Sequence, residues 1–91
     1  MSYSLIITHQ YTKRAARFIK HHPELKSQYL KTLQLMVANP FHPSLRLHAL
    51  SGKLMELHSV SINISYRITL ELLIRDEQII PVNVGNHDSV S

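Results

Sequence analysis

The spacing of apolar residues changes once along this chain, and that change constrains what it folds into. Tyr11, Ala15, Phe18 and Ile19, then Leu25, Tyr29, Leu33 and Met36, recur at the three- and four-residue intervals of one helix face. From Val60 onward the interval is two. Val60, Ile62 and Ile64 alternate with Ser59, Ser61 and Asn63, and Tyr66, Ile68, Leu70, Leu72 and Ile74 alternate with Arg67, Thr69, Glu71 and Arg75. That is the pattern of strands with one apolar and one polar face. Tyr3, Leu5 and Ile7 show the same alternation before the helices, and Ile80, Val82 and Val84 after the meander. The expected order is therefore β-α-α-β-β-β, an α+β fold: an N-terminal strand, a two-helix hairpin, then a three-stranded antiparallel meander with the helices packed on one sheet face.

Local chemistry places the joints. Thr8 can cap a helix running to about His21, and His22-Pro23-Glu24 stops that helix and starts the next, because Pro suits a first turn and Glu meets the positive end of the dipole. The second helix should end near Ala38, since Asn39 precedes Pro40. Residues 39–44, with two prolines, read as an ordered loop, and 75–78 as a hairpin turn. Pro81 conflicts with a central strand position, where its missing N–H would leave a gap in the ladder.

At 91 residues the chain suits a single domain, 1–91. The absence of Cys excludes disulfide stapling, thiolate metal sites and thiol catalysis. No apolar run approaches the roughly 20 residues of a membrane span, so the chain reads as soluble and cytoplasmic, with no membrane partner. Ten Lys and Arg against six Asp and Glu give +4 with the seven His neutral, a balance compatible with a polyanionic partner.

Among the polar residues, Arg67 belongs to the row opposite the apolar one, His48 precedes the meander and His87 follows it. On the polar face of an antiparallel sheet they would combine a fixed cation with two groups able to exchange protons near neutral pH. RNA cleavage by 2′-hydroxyl attack needs those roles: a base, a cation for the phosphate charge and an acid for the leaving oxygen. It requires no metal and no cofactor. The plainer readings are a solvated loop histidine for each His, and for Arg67 a cross-strand partner of Glu56 or Glu71. His9, His21, His22 and His42 read as surface or capping residues, and no pair of histidines has helical metal-ligand spacing.

An ordered series of segments carries a resemblance: the Asn39-Pro40 helix exit, Leu47-His48-Ala49-Leu50-Ser51-Gly52, His58-Ser59-Val60-Ser61-Ile62-Asn63, Tyr66-Arg67-Ile68 with Glu71, and Gly85-Asn86-His87-Asp88-Ser89-Val90. In this series the chain resembles the RelE/ParE superfamily of toxins from bacterial toxin–antitoxin systems, most of all the Txe/YoeB-like branch. The resemblance implies a ribosome-dependent mRNA endoribonuclease acting in the ribosomal A site, inhibited by a cognate antitoxin and meeting DNA only through that complex. It implies His48 as general base, Arg67 as the cation at the phosphate and His87 as general acid. Tyr66, His58 and Lys53 would be substrate-binding, with Tyr66 equally suited to the core, and Lys13, Arg14, Arg17 and Lys20 would bind rRNA.

Two features depart from the family pattern. The aromatic residue usual near the chain end is replaced by Asp88 and Ser91, and the paired lysines of some branches by Val60 and Ser61. Two alternatives therefore stand beside the ribonuclease: a ParE-like gyrase inhibitor, which needs no acid–base residues, and a catalytically silent antitoxin-binding relative.

Overall fold

The structure is a computed structural model that describes residues 2–50 and 57–86. Its elements are β1 (Ser4–Leu5), α1 (His9–His21), α2 (Lys26–Ala38), β2 (His48–Ala49), β3 (Leu57–Ser61), β4 (Tyr66–Leu73) and β5 (Gln78–Asn86), with single 3₁₀ turns at Pro23–Leu25 and Pro43–Leu45. The strands form one sheet in the order β1-β5-β4-β3-β2. β1 runs parallel to β5 and every other pair is antiparallel. The expected α+β architecture is present, with one strand more than the alternation indicates.

Local chemistry explains the boundaries. Thr8 Oγ1 accepts the Tyr11 N–H at 3.1 Å, the expected cap of α1. α2 begins at Lys26 rather than at Pro23, because Pro23–Leu25 closes as a 3₁₀ turn. β3 stops at Ser61, so the strand expected through Ile64 is shorter than its alternation. Asn63 Oδ1 accepts the N–H groups of Ser65 and Tyr66 at 2.8 and 2.9 Å, forming a side-chain-stabilised turn that leaves Ile64 93% exposed. At the next turn the Glu77 N–H bonds to the Ile74 carbonyl, and Glu77 takes a left-handed φ of 53°. Pro81 lies in β5 opposite Leu70, beside a register shift at Thr69/Leu70, so the ladder accommodates the imino acid at an irregularity.

The core lies between the helices and one sheet face. Tyr11 and Phe18 from α1 and Tyr29 and Met36 from α2 pack with Val60, Ile68, Leu70, Leu72, Ile79 and Val84 from the sheet. Tyr11 and Tyr29 join hydroxyls at 2.8 Å within this layer, which satisfies two polar groups that are costly to bury alone. No helix among the described residues is long and apolar enough to cross a membrane.

Candidate active site on the open sheet face

Strand register determines which residues share the face opposite the helices, the open face, which no described helix covers although Ser59 and Thr69 on it are buried. Residues directly opposite one another project to the same side, and Val60, Ile68 and Val84 mark the helix-covered side. The alternate positions give one row across the sheet, His48–Ser59–Thr69–Asn83, and beside it a second, Ser61–Arg67–Gly85. His48 and Arg67 therefore share the open face, two strands and one row apart, or roughly 12 Å at about 4.8 Å per strand and about 3.3 Å per residue. Both side chains are long enough to approach one phosphodiester placed between them.

His48 owes its position to β2, which the two-residue period cannot reveal because the strand is only two residues long. Pairing with Ser59 converts an expected loop residue into an edge-strand residue. The imidazole is exposed and lightly held. Nδ1 is 3.5 Å from the Arg46 carbonyl oxygen, and Ser59 Oγ is 3.4 Å from Nδ1 and 3.3 Å from Nε2. These contacts sit at or beyond the long end of hydrogen-bond distances, so the ring remains accessible on its edge strand.

Arg67 is half-buried, with Nη1 shielded from solvent. Its cross-strand neighbours are Ser61 and Gly85, so neither is a carboxylate and the expected pairing with Glu71 across strands does not occur. Glu71 is on the same strand and face, four residues on, roughly 13 Å away at about 3.3 Å per residue. Glu56 lies outside the described residues. Gly85 contributes no side chain, so its strand places nothing beyond backbone beside Arg67 at this register position.

Other expected site residues fall elsewhere. Tyr66 belongs to the apolar row of β4 and packs on α1, with its ring centroid 5.4 Å from Phe18 and 4.8 Å from His22. It is a packing residue, not a residue of the open face. His58 pairs with Leu70 and Ala49, and so projects to the helix side, away from His48 and Arg67. The alternation already held both signals: Tyr66 has the parity of Ile68, and His58 that of Val60. His87 and Lys53 lie outside the described residues. Ser59 and Gly85 are the site residues that charge and motif reasoning passes over. Ser59, wholly buried beneath His48, is identified only by the β2–β3 register.

The basic residues of α1 divide into two groups. Lys13, Arg17 and Lys20 are exposed, whereas Arg14 is half-buried and donates from Nη1 to the Val82 carbonyl at 2.8 Å. Arg14 thus also holds the helix against β5. His22 is sandwiched near Phe18 and Tyr66, and His42 Nδ1 accepts the Ser44 N–H at 3.1 Å, capping the Pro43–Leu45 turn.

No family model matches the sequence, and no curated protein matches it. Solved structures do match the fold over nearly the whole chain. The toxin–antitoxin complex DinJ-YafQ of E. coli superposes with a TM-score of 0.77 at 13% identity, covering 99% of this chain and 98% of the matched one. A YoeB/ParE toxin from Agrobacterium tumefaciens gives 0.72 at 12% identity, covering 92% and 98%. The archaeal RelE-RelB complex from Pyrococcus horikoshii OT3 gives 0.71 at 17% identity, covering 94% and 96%. The architecture described above is thus the one these three share.

Proposed function

We propose that this chain, which has the RelE/ParE-like toxin fold, is the toxin of a toxin–antitoxin pair and a metal-independent endoribonuclease that cleaves ribosome-bound mRNA. The observation that carries this reading is that His48 and Arg67 share the sheet face opposite the helices.

The chemistry follows from those groups. His48 takes the proton of a 2′-hydroxyl as that oxygen attacks the adjacent phosphorus. Arg67 supplies planar, charged N–H donors to the non-bridging oxygens as negative charge builds on them. The bond from phosphorus to the 5′-oxygen breaks, and His87, through the resemblance, returns a proton to that oxygen. The products are a 2′,3′-cyclic phosphate and a 5′-hydroxyl. Lys13, Arg17 and Lys20 on the exposed side of α1 attract rRNA phosphates; Lys53, through the resemblance, binds the substrate strand, and His58, on the helix side of the sheet, takes no part in the reaction. The partner in the resting state is a cognate antitoxin whose acidic segment covers the open face, folding as it binds.

Expression without a partner tests this reading. Translation should stop and transcripts should carry cuts within ribosome-covered coding sequence, both relieved by His48→Ala or Arg67→Ala. Intact transcripts with unimpaired growth contradict it. Trapped DNA breaks over intact mRNA would instead mark a gyrase inhibitor.

A further inference from the structure

The open face is not the only place where the chain gathers cationic groups. Between α1 and β5 lies an open groove of about 400 Å³, lined by Arg14, Arg17, Phe18, His21, Asn83 and Val84 among others. Arg14, Arg17, Phe18 and His21 recur at intervals of three, one and three, and so form one stripe of α1. Phe18 is buried and fixes that stripe against the sheet. Among the described residues no acidic side chain lines the groove, and α1 itself carries none. Arg17 and His21 are exposed, and His21 Nδ1 donates to the Arg17 carbonyl at 2.8 Å, which turns Nε2 outward. Arg14 spends one of its five N–H groups on Val82, so its guanidinium is held in a fixed plane along the groove wall.

Two kinds of polyanion suit such a groove: an acidic polypeptide added as a strand to β5, or a nucleic-acid backbone. The β5 edge decides between them. β1 pairs with β5 only at Gln78 and Ile79, so among the described residues the later part of β5 is a sheet edge. Two of its groups beside the groove are already engaged from within the chain. The Val82 carbonyl accepts Arg14, and the Val84 N–H donates to Asn83 Oδ1 at 2.9 Å. An added strand would have to displace both bonds, whereas a phosphate uses only the side-chain donors.

We propose that this groove seats a backbone phosphate of single-stranded RNA, with Arg14 and Arg17 as bidentate donors and His21 Nε2 at its mouth. The inference rests on the ribonuclease reading only for the identity of the strand. Asn83 belongs both to the groove and to the open-face row of His48 and Thr69, so a strand leaving the groove crosses one edge of β5 toward Arg67. The groove thus holds a phosphate next to the reacting one and sets the path of the chain over the sheet.

The test uses a fluorescent ten-nucleotide 2′-O-methyl RNA, which cannot undergo 2′-hydroxyl attack, so binding is read whether or not the protein cleaves. Arg17→Ala should weaken binding about fivefold or more in low salt and flatten the log–log salt dependence by about one unit. His21→Gln should weaken it less, and Lys26→Ala, the same charge loss on exposed α2, should leave it within about twofold. Arg14→Lys, which retains the charge but loses the fork, should weaken it as Arg17→Ala does, with circular dichroism reporting that the fold persists. Equal losses in Arg17→Ala and Lys26→Ala would overturn the proposal in favour of diffuse attraction. Displacement of the RNA by an acidic decapeptide at lower concentration than by unlabelled RNA would overturn it in favour of a protein partner. Intact transcripts in the expression experiment would refute the ribonuclease alone and leave the groove result standing.

Discussion

The imidazole of His48 lies against the buried hydroxyl of Ser59, whose Oγ is 3.4 Å from Nδ1 and 3.3 Å from Nε2. His48 is on a two-residue strand, and among the described residues this contact and the long one to the Arg46 carbonyl are the side-chain contacts that bias the ring's orientation. Ser59→Ala should keep the fold and lower mRNA cleavage about tenfold, equivalent to about 1.4 kcal/mol. Cleavage kinetics beside a melting curve check this; an unchanged rate would remove Ser59 as a positioning residue.

The bare backbone of Gly85 beside Arg67 predicts effects of opposite sign at position 85. Valine is the better strand former, so Gly85→Val should hold or raise the melting temperature. Its side chain would stand next to the guanidinium and obstruct the phosphate, lowering cleavage about a hundredfold or more. Arg67→Lys should also fail, because an ammonium lacks the planar pair of donors. Parallel melting and cleavage assays separate the two effects.

Tyr11 and Tyr29 give a stability prediction at high pH. Burial raises both hydroxyls above the ordinary tyrosine value of 10.0, and for Tyr11 the neighbouring Tyr29 adds to the effect. The unfolded chain loses these protons above about pH 10 while the folded chain keeps them, so stability is full below that pH and falls as pH rises through it. Denaturant titrations should show this fall, and the Tyr11→Phe/Tyr29→Phe double variant should flatten it. At neutral pH either single change leaves a buried hydroxyl alone and should cost about 1–3 kcal/mol, with the double variant costing less than the sum.

Asn63 holds the β3–β4 turn with two bonds from one oxygen. Asn63→Ala should cost about 1–2 kcal/mol and lower the melting temperature by roughly 4–15 °C, while Asn63→Asp should retain most of the turn.

Legibility in the sequence followed the length of each pattern. The two helices and β4 are readable because four or more apolar residues repeat in each, and parity alone puts Arg67 on the face opposite the helices. β2 was hidden, since His48 and Ala49 are too few to show a period and their strand is defined by Ser59 and His58 across from them. The end of β3 was hidden for another reason: Ile64 continues the alternation, but the Asn63 side chain supplies the turn bonds and outweighs it. Arg14 looked like one more surface cation because its partner, the Val82 carbonyl, is 68 residues away in sequence. For Tyr66 and His58 the likeness to the toxin family suggests a substrate-binding role, while their parity, that of Ile68 and Val60, puts them on the helix side.

The account depends most directly on what His48 and Arg67 do to RNA. Ribosomes carrying a defined mRNA, incubated with the purified chain, should yield fragments ending in a 2′,3′-cyclic phosphate with a 5′-hydroxyl on the downstream piece. His48→Ala and Arg67→Ala should each lower that yield at least a hundredfold without a matching loss of folding. Fragments with other ends, or wild-type yields from both variants, would contradict it.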